Sequence, residues 1–144
     1  MELKKVIDKF YSDIDIHEGK QLSKMALGER LTNNSMLYLD IIVEKEDCTV
    51  SYIAEKLGIA MPAVTVKVKE LEKMGFLIKE QSEIDKRTFF VRPTGVVVDI
   101  YQKYDETYNN AIDEFIKTHS EEDVKKLAEL LNEFTEIYNA KARR

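Results

Sequence analysis

The sequence predicts a mainly α-helical fold carrying one small β-hairpin, and three observations predict it. Apolar residues recur at helical spacing over long stretches towards both ends of the 144-residue chain. Breakers are scarce, with five Gly and two Pro, so long helices can run uninterrupted. Only between Phe76 and Val91 do β-branched and aromatic residues gather on either side of a short polar loop.

The first helix is written in Leu3, Val6, Ile7, Phe10, Tyr11 and Ile14, one apolar stripe on an otherwise charged helix. Beyond Gly19, Leu22, Met25 and Ala26 are the residues that can resume it. Leu31-Thr32 then supplies an N-cap for a helix from Asn33 to about Glu44. That helix is apolar almost all round (Met36, Leu37, Tyr38, Leu39, Ile41, Ile42, Val43), which predicts a central strut covered on several sides. Thr49 caps a short helix with Val50, Ile53, Ala54 and Leu57 inside, and Gly58 ends it. A further helix runs from Met61 to Met74, with Pro62 in its first turn, where a missing N–H is harmless. Gly75 closes it. Phe76-Leu77-Ile78 and Thr88-Phe89-Phe90-Val91 form the hairpin strands around Gln81 to Lys86, and Pro93 stops the second strand. Val97, Tyr101, Tyr104, Tyr108, Ala111, Ile112 and Phe115 then keep helical spacing. Ser120 with Asp123 resembles a capping box ahead of a last helix carrying Val124, Leu127, Leu130, Leu131, Phe134, Ile137 and Tyr138.

Ala54, Gly58 and Val64 are spaced as a helix-turn-helix requires. A small residue lets two helices approach, a glycine takes positive φ in the turn, and an aliphatic residue anchors the second helix. The hairpin that follows completes a wing. On the second helix, about 100° per residue puts Val64, Val68 and Leu71 on the core side. The opposite side carries Pro62, Thr65, Val66, Lys69 and Lys73, with Met61 at the helix start. Such a face suits a DNA major groove: Thr65 can meet a base edge or a thymine methyl, Val66 makes an apolar contact, and Lys69 reaches guanine or phosphate. Lys67 lies on the flank and is expected to meet phosphate. The face carries no arginine, so DNA shape is expected to contribute to specificity. At the hairpin tip, Lys86 and Arg87 fit the minor groove, with Asp85 placed to hold the arginine by a charge-assisted bond. The long amphipathic helices at the two ends have little to bury against so small a lobe. Their simplest partner is a second copy of the chain, in a homodimer.

These phrases together resemble the MarR family of winged helix-turn-helix transcriptional regulators. The resemblance is carried by Ile53-Ala54-Glu55-Lys56-Leu57-Gly58-Ile59, by Val64 through Phe76 with its Leu71-Glu72-Lys73-Met74-Gly75 ending, and by Asp85-Lys86-Arg87. It covers essentially the whole length. The departures are Ala60 in place of a capping serine, Met61 in place of a polar or basic residue, and Pro93-Thr94 with Gly95 unusually close after the wing. The resemblance implies residues 1–31 as an N-terminal dimerisation region, 32–94 as the DNA-binding lobe and 95–144 as C-terminal dimerisation helices. It also implies a regulator, usually a repressor, that binds a pseudo-palindromic operator in double-stranded DNA as a homodimer. A small ligand, oxidant or metal acting near the junction of the two lobes releases such proteins from DNA.

The net charge of −5 does not exclude this, because charge is unevenly distributed. From Met61 to Arg92 there are seven cations against five acids, a local excess of two that leaves −7 for the rest. No apolar run has the length of a signal peptide or membrane span, and the single cysteine fits a reducing compartment, so a cytoplasmic location is expected. Cys48 lies among Glu44, Glu46 and Asp47, acids expected to raise its pKa and keep it unreactive. His17 and His119 are isolated in sequence, and no metal site or cofactor is predicted. The tyrosines Tyr11, Tyr38, Tyr101, Tyr104 and Tyr108 suit an amphipathic core, and an apolar or aromatic effector between the first, second and fifth helices is the other reading. No phosphate loop, HExxH or nucleophile elbow marks an enzyme. The rival to a DNA regulator is a winged-helix adaptor or antirepressor that binds protein and has lost DNA readout.

Overall fold

The computed structural model describes residues 2–24 and 31–143. Within them the elements run α1 (Leu3–Lys24), α2 (Asn33–Glu44), α3 (Val50–Leu57), α4 (Met61–Lys73), β1 (Leu77–Gln81), β2 (Phe89–Pro93), α5 (Gly95–Thr118) and α6 (Glu121–Ala142). This is the mainly helical fold with one antiparallel hairpin that the sequence predicts. α1 passes through Gly19 without a break, and Leu22 beyond it packs against the core. Met25 and Ala26 lie outside the described residues.

Local chemistry sets the helix ends. Thr32 Oγ1 accepts the Ser35 N–H at 3.1 Å and Thr49 Oγ1 accepts the Tyr52 N–H at 3.1 Å, each satisfying one orphan donor of its helix. Ser120 Oγ accepts the Asp123 N–H at 3.1 Å and donates to the Asp123 carboxylate at 2.6 Å, so the serine caps the helix and the aspartate bonds the serine hydroxyl. At the other ends, Gly58 (φ 66°) and Gly75 (φ 82°) turn the chain by the same device. The Ile59 N–H reaches back to Ala54 O at 3.1 Å and the Phe76 N–H to Leu71 O at 3.0 Å, the six-to-one bond of a Schellman motif.

The second of these turns aims the chain into the hairpin, whose register pairs Leu77 with Pro93, Lys79 with Val91 and Gln81 with Phe89. Phe76, expected in the first strand, sits one residue before it and is buried. Gln81, expected in the loop, closes the strand instead. The Val91 N–H donates to Cys48 O at 2.7 Å, and Arg92 spans Glu80 Oε2 (2.6 Å) and Asp47 Oδ1 (2.8 Å). These bonds tie the turn between α2 and α3 to the base of the wing. Thr94 shapes the wing's exit: its hydroxyl donates to Gly75 O at 2.7 Å and its N–H to Phe76 O at 3.0 Å. Gly95 then opens α5 directly.

The chain divides into two compact units, one up to Tyr104 and one from Asp105, with the boundary inside α5. In the first, Leu39, Ile53, Val64, Val68, Leu71 and Val97 are fully buried in one apolar cluster. α2 is the strut of this core, although Leu37 stays exposed, so it is covered on fewer sides than its composition predicts. In the second, α6 buries no residue, and its stripe from Leu127 to Tyr138 is 42–63% exposed. No described helix is long and apolar enough to cross a membrane.

Candidate nucleic-acid interface

α4 presents two chemically distinct sides. Val64, Val68 and Leu71 are wholly buried, which fixes the helix's rotation. Pro62, Val66, Lys69 and Lys73 follow at steps of three or four and form the outward stripe, flanked by exposed Met61. Val66, at 69% exposure, is an aliphatic side chain with nothing in the lobe to cover it. The Thr65 hydroxyl donates to Met61 O at 3.1 Å, so its proton is engaged within the helix.

Lys67 differs from expectation. Its side chain is only 12% exposed and pairs with Glu70 Oε1 at 3.2 Å, one helical turn along, rather than standing free for phosphate. Lys69 and Lys73 enter no ion pair among the described residues, and the same holds for Lys79 on β1 and Lys86 at the tip. Lys79 is a cation the sequence reading did not nominate. Arg92, counted in the local positive excess, is held by two carboxylates. Its bonds to Asp47 and Glu80 raise its pKa further, and its charge is spent inside the lobe.

The wing tip is a built structure. Ser82, nearly buried, accepts the N–H groups of Ile84 (3.2 Å) and Asp85 (3.3 Å) on its hydroxyl. Asp85 Oδ1 accepts the Arg87 N–H at 3.0 Å and meets Arg87 Nε at 3.5 Å. Gln81 Nε2 donates to Lys86 O at 2.6 Å, and the Ser82 N–H to Thr88 O at 2.8 Å. The result leaves the Arg87 side chain 93% exposed on a backbone whose conformation is fixed from both sides. The sequence places Ser82 and Gln81 at the loop without giving either a role in fixing the tip. The signal that could have found Ser82 is its spacing of two and three residues from Ile84 and Asp85, the reach of a hydroxyl turn.

The groups considered for sensing fall elsewhere. Cys48 is fully buried, and burial pushes its thiol up to about 11. The expected cause is corrected here: burial raises the pKa and Lys45 opposes it, while the neighbouring acids contribute nothing resolved. His119 stacks on Phe115 with ring centroids 3.9 Å apart, a contact within one helix end. Among the described residues no three His, Cys, Asp or Glu side chains are grouped to hold a metal. The Tyr101 hydroxyl donates to Asp40, joining α5 to α2, and burial and that bond raise the phenol's pKa. Glu18 of α1 also has a raised pKa, through burial first and then repulsion from Asp40 and Asp15, partly offset by His17.

A helix-turn-helix with an exposed outer face on its second helix, joined to an ordered hairpin tipped by arginine, defines a winged helix-turn-helix protein. The MarR family model matches residues 31–89, from just before α2 to the first residue of β2. Residues 31–89 thus carry the sequence pattern of the MarR family. It is similar to the HTH-type transcriptional regulator MhqR of Bacillus subtilis (strain 168), 27% identical over 126 residues, which cover 88% of this chain and 84% of that protein. Two solved structures share the fold. One is FabT of Streptococcus pneumoniae in complex with DNA, with a TM-score of 0.71 at 18% identity, covering 96% of each chain. The other is a MarR family protein from Bacillus stearothermophilus, with a TM-score of 0.63 at 16% identity, covering 95% of this chain and 93% of that one.

Proposed function

We propose that the chain is a MarR-family regulator, a repressor that binds a pseudo-palindromic operator as a homodimer and is released by an effector. α4 enters the major groove through Met61, Pro62, Thr65, Val66, Lys69 and Lys73. Lys86 and Arg87 follow the adjacent minor groove, with Asp85 as support. The observation that carries this reading is the pairing of an ion-pair-free cationic and apolar stripe on α4 with a 93% exposed arginine on a rigid tip. FabT, similar in fold, was solved on DNA, which supports the same use of this surface. The uncovered stripes of α1 and α6 support a second copy as partner. Two copies of α4 then need a separation of about 34–36 Å, one turn of DNA. An effector acting between α1, α2 and α5, where Tyr101, Asp40 and Glu18 meet, would release DNA by favouring another separation.

The test is fluorescence anisotropy against DNA from upstream of the gene encoding the protein, with a scrambled competitor and a salt titration. Specific binding that weakens steeply with salt, and is weakened in Lys69→Ala and Arg87→Ala, is the expected result. A well-folded dimer with no binding at low salt would sink the regulator reading and favour the protein-binding adaptor.

A further inference from the structure

The outward side of α4 is unusual in what it lacks. Between Met61 and Lys73 there is no Arg, Asn or Gln, which leaves lysine as the only side chain there suited to two-point hydrogen bonds with a base edge. Of the polar groups present, Lys67 is covered and paired with Glu70, and the Thr65 proton is bonded to Met61 O. Ahead of Lys69 and Lys73, the first two turns of the groove side therefore offer chiefly carbon: Val66 at 69% exposure, Met61 at 51%, and the methyl group of Thr65.

The major-groove edge of a base pair holds one apolar feature, the 5-methyl group of thymine. Apart from the small C–H edges of cytosine and the purines, the other groups there are hydrogen-bond donors or acceptors. Setting Val66 against such groups would strip them of water without returning a bond, which is unfavourable. Setting it against a methyl removes apolar surface from water on both partners. We infer that Val66, flanked by Met61 and Thr65, reads thymine methyl groups, so that each operator half-site carries thymine beneath the first two turns of α4. Lys69, one turn further along the same stripe, supplies phosphate or guanine contact and no methyl discrimination. This rests on the DNA-binding reading and names the kind of operator it requires.

The experiment takes the full chain as a dimer and selects its binding sites from a random pool of duplexes. The selected thymines are then replaced one at a time by uracil, which keeps pairing and both oxygens and removes only the methyl. At one or two thymines per half-site, uracil is expected to weaken binding about fourfold per methyl, the factor that burial of one such group provides. In Val66→Ala, whose side chain is exposed and supports no core, that uracil effect should vanish. Lys69→Ala should retain it while lowering the salt dependence. A wild-type protein that binds fully uracil-substituted operators as tightly as the thymine ones overturns the inference and leaves DNA binding intact. Val66→Ala that keeps the full uracil effect also overturns it. A pool from which nothing is enriched removes the DNA-binding reading and this inference with it.

Discussion

The winged lobe and α6 are made from the same material, amphipathic helices with a stripe of Leu, Ile, Val and aromatics, and end in opposite states. Between Leu31 and Tyr104 the stripes of α2, α3, α4 and α5 converge on one closed core. On α6, Leu127, Leu130, Leu131, Phe134, Ile137 and Tyr138 are all left open. The contrast teaches that an apolar period fixes which side of a helix must be buried and says nothing of what buries it. The lobe has short helices joined by tight glycine turns, so each stripe finds another within the chain. On the 22-residue α6 no residue of the stripe is buried.

The largest effect expected from this contrast is on association. Leu131→Ser with Phe134→Ser removes two apolar side chains worth about 1.5–3 kcal/mol each when buried. The dimer dissociation constant measured by sedimentation equilibrium should rise at least about a hundredfold, with helix content retained. An unchanged constant would mean that α6 is covered by something other than a second copy. Next comes the lobe: Leu71→Ala, at a fully buried position, should lower urea stability by about 2–5 kcal/mol, by lost transfer energy plus the cavity left behind. A loss below 1 kcal/mol would show a core less tightly closed than its burial indicates.

A smaller effect belongs to the caps. Thr49→Ala deletes the acceptor for the Tyr52 N–H and should cost about 1 kcal/mol in the same denaturation series, with Thr49→Ser close to wild type. The smallest effect is pH-dependent. Because burial and Asp40 raise the Glu18 pKa above 4.5, the folded state holds that proton more tightly than the unfolded chain does. Its contribution is most favourable below 4.5 and is lost as pH rises through the raised value. Glu18→Gln should therefore stabilise the protein slightly at pH 7, by roughly a few tenths of a kcal/mol given the group's exposure to solvent. It should also flatten the decline between pH 4 and 7. A variant less stable than wild type at pH 7 would show that the carboxylate makes a favourable contact there.

How much was legible follows the range of each interaction. Thr32, Thr49 and Ser120 were read as caps because a cap joins residues three apart, and Gly58 and Gly75 because positive φ is a property of the residue itself. The rotation of α4 was legible from its period alone. The fate of individual charges was not. Arg92 counted as a free cation in sequence, but it meets Asp47, 45 positions away, and Glu80 across the hairpin. Lys67 could as well have faced outward, and only the folded helix turns it onto Glu70. Cys48 was read only through its acidic neighbours in sequence, whereas its carbonyl joins Val91 and its sulfur is buried in the core.

The sequence by itself determined the helices, their caps and turns, and the wing, because those depend on periodicity and on bonds spanning a few residues. Tertiary structure alone decided that Arg92 is held by Asp47 and Glu80, that Cys48 is buried, and which apolar stripes close on the chain itself. Those outcomes depend on which distant groups the fold brings within bonding distance, and an ion pair or a buried surface exists only once both partners are in place.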